Sequence, residues 1–430
     1  MVTIMRTPGL AALVLIVLIT GTVLAGGCLN TGTSATSTTI NNTSYTTPVY
    51  PTSNDTLKPP ELEEMATINN LFASELYGEF SSREGNVFFS PYSILTALSI
   101  AYEGAKGRTA EEMAKVLHLP KDDLERREGF RMLILRLNNP ASDAYILSTA
   151  NALWVQKDFP IKETYIEVVK KYYLSEVKEV DFQKNPEGAA LQINRWAEEK
   201  TRGRIKNLVS NLDPLTRLVI TNAIYFKANW SSRFSPASTR NGTFYAPNGA
   251  VVVPMMHQTG RFGYFEGDDL KALEMPYEDG RLSMLIILPE KGSIGKVEKR
   301  INPEFIQRLL RSMKAERVKV TLPKFKFETS YKLKDTLMKM GVREAFSNSA
   351  DFTGISDGSL AISQVIHKTF ISVAENGTEA AAATAVTITA LAPIGEEVKV
   401  FKADHPFIFL IYDRESGAIL FMGRLVDPRG

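Results

Sequence analysis

Long apolar strands in the second half of the chain limit the fold more than any other feature. Residues 216–230, 282–289, 406–413 and 418–427 are rich in β-branched and aromatic side chains. Several of these segments are apolar on both faces, so they predict sheets that are covered on both sides. Segments with helical spacing gather early in the chain, and this order predicts an α+β fold and not alternating βαβ units.

Three helix starts can be placed in the early part of the chain. Residues 61–80 repeat apolar side chains at helical spacing. Ser90 and Pro91 indicate a second start, because proline is tolerated in the first turn of a helix. Thr109 and Glu112 have the spacing of a capping box, which would begin a third helix directly after Thr109.

Residues 1–28 predict a targeting segment. One positive charge, Arg6, precedes a nearly unbroken apolar run that ends in small residues before Cys28. The segment is consistent with a cleaved export signal or with an uncleaved anchor long enough to span a membrane. Cys28 stands where a lipoprotein signal places its lipid-bearing residue, although Ala25 stands where leucine is usual, and its position favours lipidation over a chance cysteine. We expect an extracellular or cell-surface protein whose membrane contact runs only through this segment.

Residues 29–60 predict a flexible stalk, since Ser, Thr, Asn and Pro dominate and such a composition cannot bury a core. Asn41, Asn42 and Asn54 begin glycosylation sequons there. No second linker follows, so residues 61–430 predict one domain and a monomer. Cys28 is the single cysteine, which excludes a disulfide within the chain.

Charge and histidine spacing argue against several classes of function. The chain has 50 basic and 48 acidic residues, a balance without the footprint of a nucleic-acid-binding protein. Its four histidines are not paired at a metal-ligand spacing, and no glycine-rich phosphate loop is present, so we expect neither metal nor cofactor. Lys324 and Lys326 alternate with phenylalanines, which is typical of a half-buried strand.

A short motif around Ser356 matches a hydrolase pattern. Residues 354–358 read GISDG, the nucleophile-elbow sequence, which needs a buried strand before the serine and a helix after it. The preceding residues are polar, and strand-like residues follow. This context predicts a polar turn and disfavours an enzyme that uses Ser356.

Residues 378–395 combine two conflicting propensities. The first half is an alanine run that favours a helix, and the second half is β-branched. Flexible linkers favour Gly, Ser or Pro, which this segment keeps for its end. As a strand it would place Thr378 and every second residue up to Ile388 on one face, with Glu379 on the other.

Several long blocks, in order through nearly all of residues 61–430, resemble the serpin family. The resemblance implies an α+β fold with three β-sheets, surrounding helices and an exposed reactive-centre loop that baits a protease. It also implies a suicide inhibitor of serine proteases, not an enzyme, which traps the acyl-enzyme by inserting its cleaved loop into the main sheet. The blocks include NVFFSPYSILTALSIAYEGAKGRTAEEM, TNAIYFKANW, MGVREAFSNSADFTGIS, VIHKTFISVAENGTEAAAATA and ADHPFIFLIYDRESGAILFMGRLVDP.

The family's hinge motif places the loop in this sequence. Its spacing puts the scissile bond between Leu391 and Ala392. If the register slips, Ala390 is an elastase-type alternative, whereas the Ala392–Pro393 bond is a poor one because most serine proteases refuse proline there. Leucine before the bond implies chymotrypsin-like or subtilisin-like serine proteases as covalent partners. The hinge residues carried over are Glu375, Gly377, Thr378, Glu379, Ala380, Ala381, Ala382 and Ala383.

The resemblance also marks residues that control loop insertion. A polar cluster beneath the sheet is implied at Ser90, Ser93, Asn222 and His367. Trp230, Lys324 and Glu375 match the point where insertion begins, with an expected Lys324–Glu375 ion pair. Ala228 stands where glycine is common.

An alternative function stays open alongside inhibition. A non-inhibitory serpin could serve as a cell-surface binding protein or chaperone. Such members usually carry substitutions that disrupt the hinge motif, which is intact here. Asn376 begins a sequon within the hinge. A glycan there would obstruct insertion, so we expect the site to be unmodified.

Overall fold

The computed structural model describes residues 60–138, 145–379 and 397–430. The described residues belong to one compact unit. The targeting segment with Cys28, the stalk, Ala380–Ala383 and the Leu391–Ala392 bond lie outside them. Within the described part of the chain, no helix is long and apolar enough to cross a membrane.

The helices gather mainly in the first half of the chain. Two short 3₁₀ turns, Pro236–Ser238 and Glu344–Phe346, accompany them. Their bounds are α1 (Pro60–Ser81), α2 (Pro91–Tyr102), α3 (Gly107–Leu117), α4 (Asp123–Asn138), α5 (Glu163–Tyr173), α6 (Pro186–Lys200), α7 (Ile294–Glu298), α8 (Pro303–Ser312) and α9 (Lys334–Met340).

The strands dominate the second half, as their sequence predicts. Their bounds are β1 (Val87–Phe89), β2 (Tyr145–Gln156), β3 (Glu176–Val180), β4 (Leu218–Asn229), β5 (Arg240–Ala246), β6 (Gly249–Glu266), β7 (Leu270–Pro276), β8 (Leu282–Pro289), β9 (Lys314–Pro323), β10 (Phe325–Lys332), β11 (Gln364–Ala374), β12 (Gly377–Thr378), β13 (Lys399–Lys402), β14 (Phe407–Asp413) and β15 (Ile419–Leu425).

One of the predicted helix starts is wrong in detail. Helix α2 begins as expected, with the Ser90 side chain accepting a hydrogen bond from the Ser93 amide. Helix α3 instead begins at Gly107, and its N-cap residue makes no side-chain capping bond. The Thr109 hydroxyl accepts from the amide of Asp351, and Glu112 accepts from two amides near residue 343. Tertiary partners therefore use both side chains that the capping box required.

The main sheet has six strands in the order β10-β11-β12-β4-β2-β3. Both of its faces are covered at the centre of the sheet, along β4. A large apolar cluster that includes Phe226 and Tyr277 lies on one face, while a smaller cluster that includes Trp154 and Trp196 lies on the other, under α6. This double burial explains why β4 is apolar on both faces.

The remaining strands complete the three-sheet α+β architecture. One hydrogen-bonded path runs β1-β15-β14-β8-β7-β6-β9-β13, and β5 pairs with β6 beside it. Strand β6 is 18 residues long, so its first part forms a small sheet with β5, β9 and β13 while its last residues pair with β7. The small sheet is therefore joined to the larger one by continuous strands.

Candidate functional site

The seam between β4 and β11 is closed at one end and occupied by β12 at the other. Residues Gln364–Thr369 of β11 pair in parallel with Val219–Ile224 of β4. Beyond these pairs, Gly377 and Thr378 lie between the two strands and pair antiparallel with both. The first residues of the predicted hinge are thus already a strand of the main sheet.

Glu375 is tied to two elements outside the main sheet. Its carboxylate accepts hydrogen bonds from Lys324 Nζ at 2.8 Å and from the Thr239 hydroxyl at 2.8 Å. The structure therefore contains the expected Lys324–Glu375 ion pair. Burial opposes ionisation of Glu375, but these hydrogen bonds outweigh it and hold the pKa of Glu375 below its usual value.

Trp230 fixes the backbone before the hinge strand. Its indole Nε1 donates to the carbonyl of Ala374 at 3.0 Å, and its amide donates to the carbonyl of Asn376 at 2.9 Å. The indole also stacks on the ring of Tyr277, with 4.7 Å between centroids. Two directional bonds and a stacked ring therefore hold the chain where it turns into the seam.

The two residues of β12 have different requirements: Gly377 must be small, and Thr378 must find a polar partner. A Cβ atom at Gly377 would overlap the carbonyl oxygen of Ala228, so only glycine fits this close approach. The hydroxyl of Thr378 is buried and lies 2.7 Å from the hydroxyl of Tyr277. Because Tyr277 belongs to the large core cluster, Thr378 points to the inner face of the sheet.

Glu379 points the opposite way. Its amide donates to the carbonyl of Ser372 at 2.6 Å, and its carboxylate pairs with Arg204, which follows α6 on the outer face. Burial raises the pKa of Glu379, although the charge of Arg204 opposes the shift. Residues 378 and 379 therefore alternate between faces, with the charge outside, as a strand requires.

A buried polar cluster lies beneath the closed end of the seam. It brings together all four residues that the resemblance placed there. Asn222 donates to the Ser93 hydroxyl and accepts from His367 Nδ1, while the Ser90 hydroxyl donates to the carbonyl of Leu420 at 2.6 Å. Asn151 on β2 joins the cluster by accepting from Asn222.

The bonds of His367 identify its tautomer. Its Nε2 accepts from the Ser90 amide at 3.1 Å, so the ring proton is on Nδ1 and is donated to Asn222. Full burial lowers the pKa of His367 to about 3. The ring is therefore neutral at ordinary pH, and it links β11 to both α2 and β4.

Four contributors to this site were missed in the sequence. Tyr277, Thr239 and Arg204 lie on segments without a local signal, and only the tertiary fold brings them to the hinge. Asn151 carried a usable signal, because a polar residue in the middle of a buried strand needs a partner.

Ser356 does not lie in a nucleophile elbow. It is fully buried, and its hydroxyl accepts from the amide of Gly358 at 3.2 Å. Residues 353–355 form a turn, and the next strand begins at Gln364. Neither the preceding strand nor the following helix of an elbow is present in this described segment.

Sequence comparison gives the same family as the fold and the hinge geometry. The family model described as Serpin (serine protease inhibitor) matches residues 67–428. The chain belongs to the serpin family. A serpin-like protein of Thermococcus kodakarensis is 58% identical over 413 residues, which are 95% of this chain and 97% of that protein.

Relatives of this serpin include an inhibitor and a hormone-binding globulin by name. The leukocyte elastase inhibitor of Bos taurus is 38% identical, with 85% of this serpin and 100% of the relative covered. The structure of human thyroxine-binding globulin with its ligand matches with a TM-score of 0.80 and 33% identity, covering 86% of this serpin and 100% of that chain. Family membership alone therefore does not distinguish protease inhibition from ligand binding.

Proposed function

We propose that this serpin inhibits chymotrypsin-like or subtilisin-like serine proteases by forming a covalent acyl-enzyme complex. The observation that carries the proposal is β12, which lies between β4 and β11 and is antiparallel to both. A strand in that position is the beginning of an insertion, and its register specifies how the rest would follow.

The register of β12 can be continued along the sequence. Thr378 is opposite Val373 and Ala228, so Ala382 would come opposite Thr369 and Ile224. Those two residues form the first parallel pair of the closed seam. Insertion up to Ala381 therefore needs no strand separation, and insertion from Ala382 onward must part β4 from β11.

The inserted residues suit the environments that they would reach. Continued alternation places Ala380 and Ala382 on the inner face, where small side chains pass the core without steric conflict. The same count brings Thr384 opposite His367 and Asn222, on the face of the buried polar cluster. A threonine there can satisfy groups that separation of β4 from β11 would leave without hydrogen bonds.

Insertion would also release enough free energy to deform a protease. A dozen new ladder hydrogen bonds at about 1 kcal/mol each sum to about 10 kcal/mol. Whole domains are stable by about 5–15 kcal/mol, so the gain is comparable to the stability of the protease itself.

The proposal extends to the bond and the compartment. We place the cleaved bond between Leu391 and Ala392, since leucine fits a deep apolar specificity pocket. We also place the protein outside the cell or on its surface, because residues 1–28 have the composition of an export or lipoprotein signal.

The test uses residues 61–430 with subtilisin and with chymotrypsin. We expect an SDS-stable band of the combined mass and, by mass spectrometry, a released fragment that begins at Ala392. Clean cleavage without a complex would contradict inhibition and favour the non-inhibitory alternative. A fragment that begins at another residue would correct the bond alone.

A variant pair tests insertion itself. Thr378→Arg would put a long cation against buried Tyr277, so we expect a substrate that is cleaved without trapping protease. Thr378→Ser keeps the hydroxyl and should trap as the parent does. Full trapping by Thr378→Arg would show that the assigned insertion mechanism is wrong.

A further inference from the structure

One face of the small sheet formed by β5, β6, β9 and β13 is basic. The register places Lys319 beside Thr259 on β6 and beside Val400 on β13, and it places Arg240 beside Met255. Side chains two residues apart share a face, so Arg240, Lys319 and Lys402 lie on the same one. We call this surface the basic face; its cationic residues are Arg240, Arg261, Arg317, Lys319 and Lys402.

The basic face concentrates positive charge. Within these fully described strands, the residues that share the face include no carboxylate. Arg317 is directly opposite Arg261 in the register of β6 and β9. Lys402 pairs with Asp404 at 2.9 Å. Arg240 and Lys319 are exposed.

His257 lies on the basic face, and its pKa is affected by the neighbouring cations. Its Nδ1 lies 3.0 Å from the Thr321 hydroxyl. The pKa of His257 is lowered, first by burial and then by the charges of Arg240, Lys319 and Lys402. Cations on three different strands therefore contribute to the shift at one residue of the basic face.

Exposed apolar side chains border the basic face. Val398 is 40% exposed and Val400 is 52% exposed, both at the edge strand β13. Protein-docking surfaces combine apolar and charged side chains, whereas a site for a simple anion needs only the charged ones. The exposed valines beside the cations therefore favour a protein partner.

The residues that flank the reactive-centre loop on both sides lie next to the basic face. On one side, Glu375 accepts a hydrogen bond from Thr239, the residue before Arg240. On the other side, the chain returns at Val398 and enters β13. A protease bound to the segment between these points would face the strands that connect them.

We propose that the basic face is a docking surface for an acidic region of the target protease; this inference rests on the proposed inhibitory function. At full extension, the six residue-to-residue steps from Ala392 to Val398 span at most about 22 Å. A protease domain of ~230 residues has a radius of gyration of about 17 Å, so its body reaches β13 when the bond is in its active site. Cations there would steer acidic proteases to the bait and raise the association rate.

The test compares chymotrypsin with succinylated chymotrypsin, whose lysine amines have become carboxylates while the active site is unchanged. Both are titrated for active sites, and the second-order association rate constant is measured at 25 mM and 500 mM NaCl. We expect the parent to react about 5–10-fold faster with the succinylated form at low salt, and nearly equally with both at high salt.

A matched pair of variants locates the effect. Arg240→Glu/Lys319→Glu should abolish or reverse the low-salt preference for succinylated chymotrypsin. Lys115→Glu/Lys170→Glu makes the same change in net charge on exposed sites of α3 and α5 and should keep most of the preference. Equal preferences in the two variants would overturn the docking surface, because net charge alone would then explain the rates.

Two further outcomes have defined meanings. An SDS-stable complex that forms at charge-independent rates would reject the docking surface and leave inhibition standing, whereas no complex with either protease would reject both. Retention on heparin-agarose is measured in parallel. If Arg240→Glu/Lys319→Glu loses retention while its rate preference is unchanged, the occupant is a polyanion and the protease proposal is wrong.

Discussion

The hydroxyl of Thr378 lies 2.7 Å from the hydroxyl of Tyr277, and this contact joins the hinge strand to the core of the molecule. Tyr277 also stacks on Trp230, whose indole holds the carbonyl of Ala374. Tyr277 therefore connects Thr378 in β12 to the indole of Trp230 and, through that indole, to Ala374 at the end of β11. In the proposed mechanism, insertion would therefore begin from a defined position.

Loss of the Tyr277 hydroxyl should weaken this connection without disturbing the stack. We expect Tyr277→Phe to lower the free energy of unfolding by about 1 kcal/mol, the usual net value of one hydrogen bond. The measurement is the urea midpoint of the uncleaved protein. Tyr172→Phe, at a half-buried position on α5, is the control. Equal midpoints for the two variants would contradict the assigned bond.

Substitution of Gly377 should remove β12 from the sheet. A Cβ atom at this position overlaps the carbonyl of Ala228, so Gly377→Ala must displace the strand. We expect faster limited proteolysis of the hinge and a higher fraction of inhibitor consumed as substrate. Gly78→Ala is the control, because a Cβ at Gly78 meets nothing within 4 Å. Unchanged proteolysis of Gly377→Ala would disprove the tight fit.

Removal of Arg204 should loosen the same strand from the outer face. Arg204→Ala leaves the buried carboxylate of Glu379 without its cation, and an unpaired buried charge is costly. We expect the amides of Thr378 and Glu379 to exchange hydrogen about tenfold faster, since about 1.4 kcal/mol corresponds to that factor. Arg202→Ala provides a control two residues away. Equal protection in both variants would show that the ion pair does not hold the hinge.

Stability should fall in mild acid because of His367. Burial lowers the pKa of His367 to about 3, against about 6.5 in the unfolded chain. Between these values the unfolded state binds the extra proton, so stability is complete above pH 6.5 and decreases as pH falls towards 3. From pH 7 to pH 5 this group should contribute a loss of about 2 kcal/mol in the free energy of unfolding.

Denaturant titrations across this pH range check the assignment. His367→Gln should be less stable than the parent at pH 7 but should show a smaller decrease towards pH 5. The same slope in His367→Gln and the parent would mean that other groups cause the acid sensitivity.

Thr384 should matter only after cleavage. Register places it opposite His367 and Asn222 when the loop is inserted, so Thr384→Val would leave polar groups in the seam without a partner. We expect unchanged stability of the uncleaved protein and a lower melting temperature of the cleaved form. Thr387→Val, on the opposite strand face, is the matched control. Equal melting temperatures of the cleaved variants would argue against the continued register.

The sequence by itself determined the fold class and much of the hinge. The apolar strands at 216–230 and 406–427 need cover on both faces. Strand β4 has the large core on one side and the cluster under α6 on the other, while β14 and β15 are buried within the large core. The alternation that places Thr378 inside and Glu379 outside follows from the period of a strand, which is a local property. Such features can be predicted because each depends on residues that are close in sequence.

Tertiary structure alone decided which partners complete the site. Tyr277, Thr239 and Arg204 are each more than 100 residues from their hinge partners, and no local pattern encodes those contacts. The capping box at Thr109 failed for the same reason, because Asp351 and residues 343–344 offered partners that its own helix could not predict. A buried polar group bonds to whichever donor or acceptor the whole chain brings near, and that is settled only by folding.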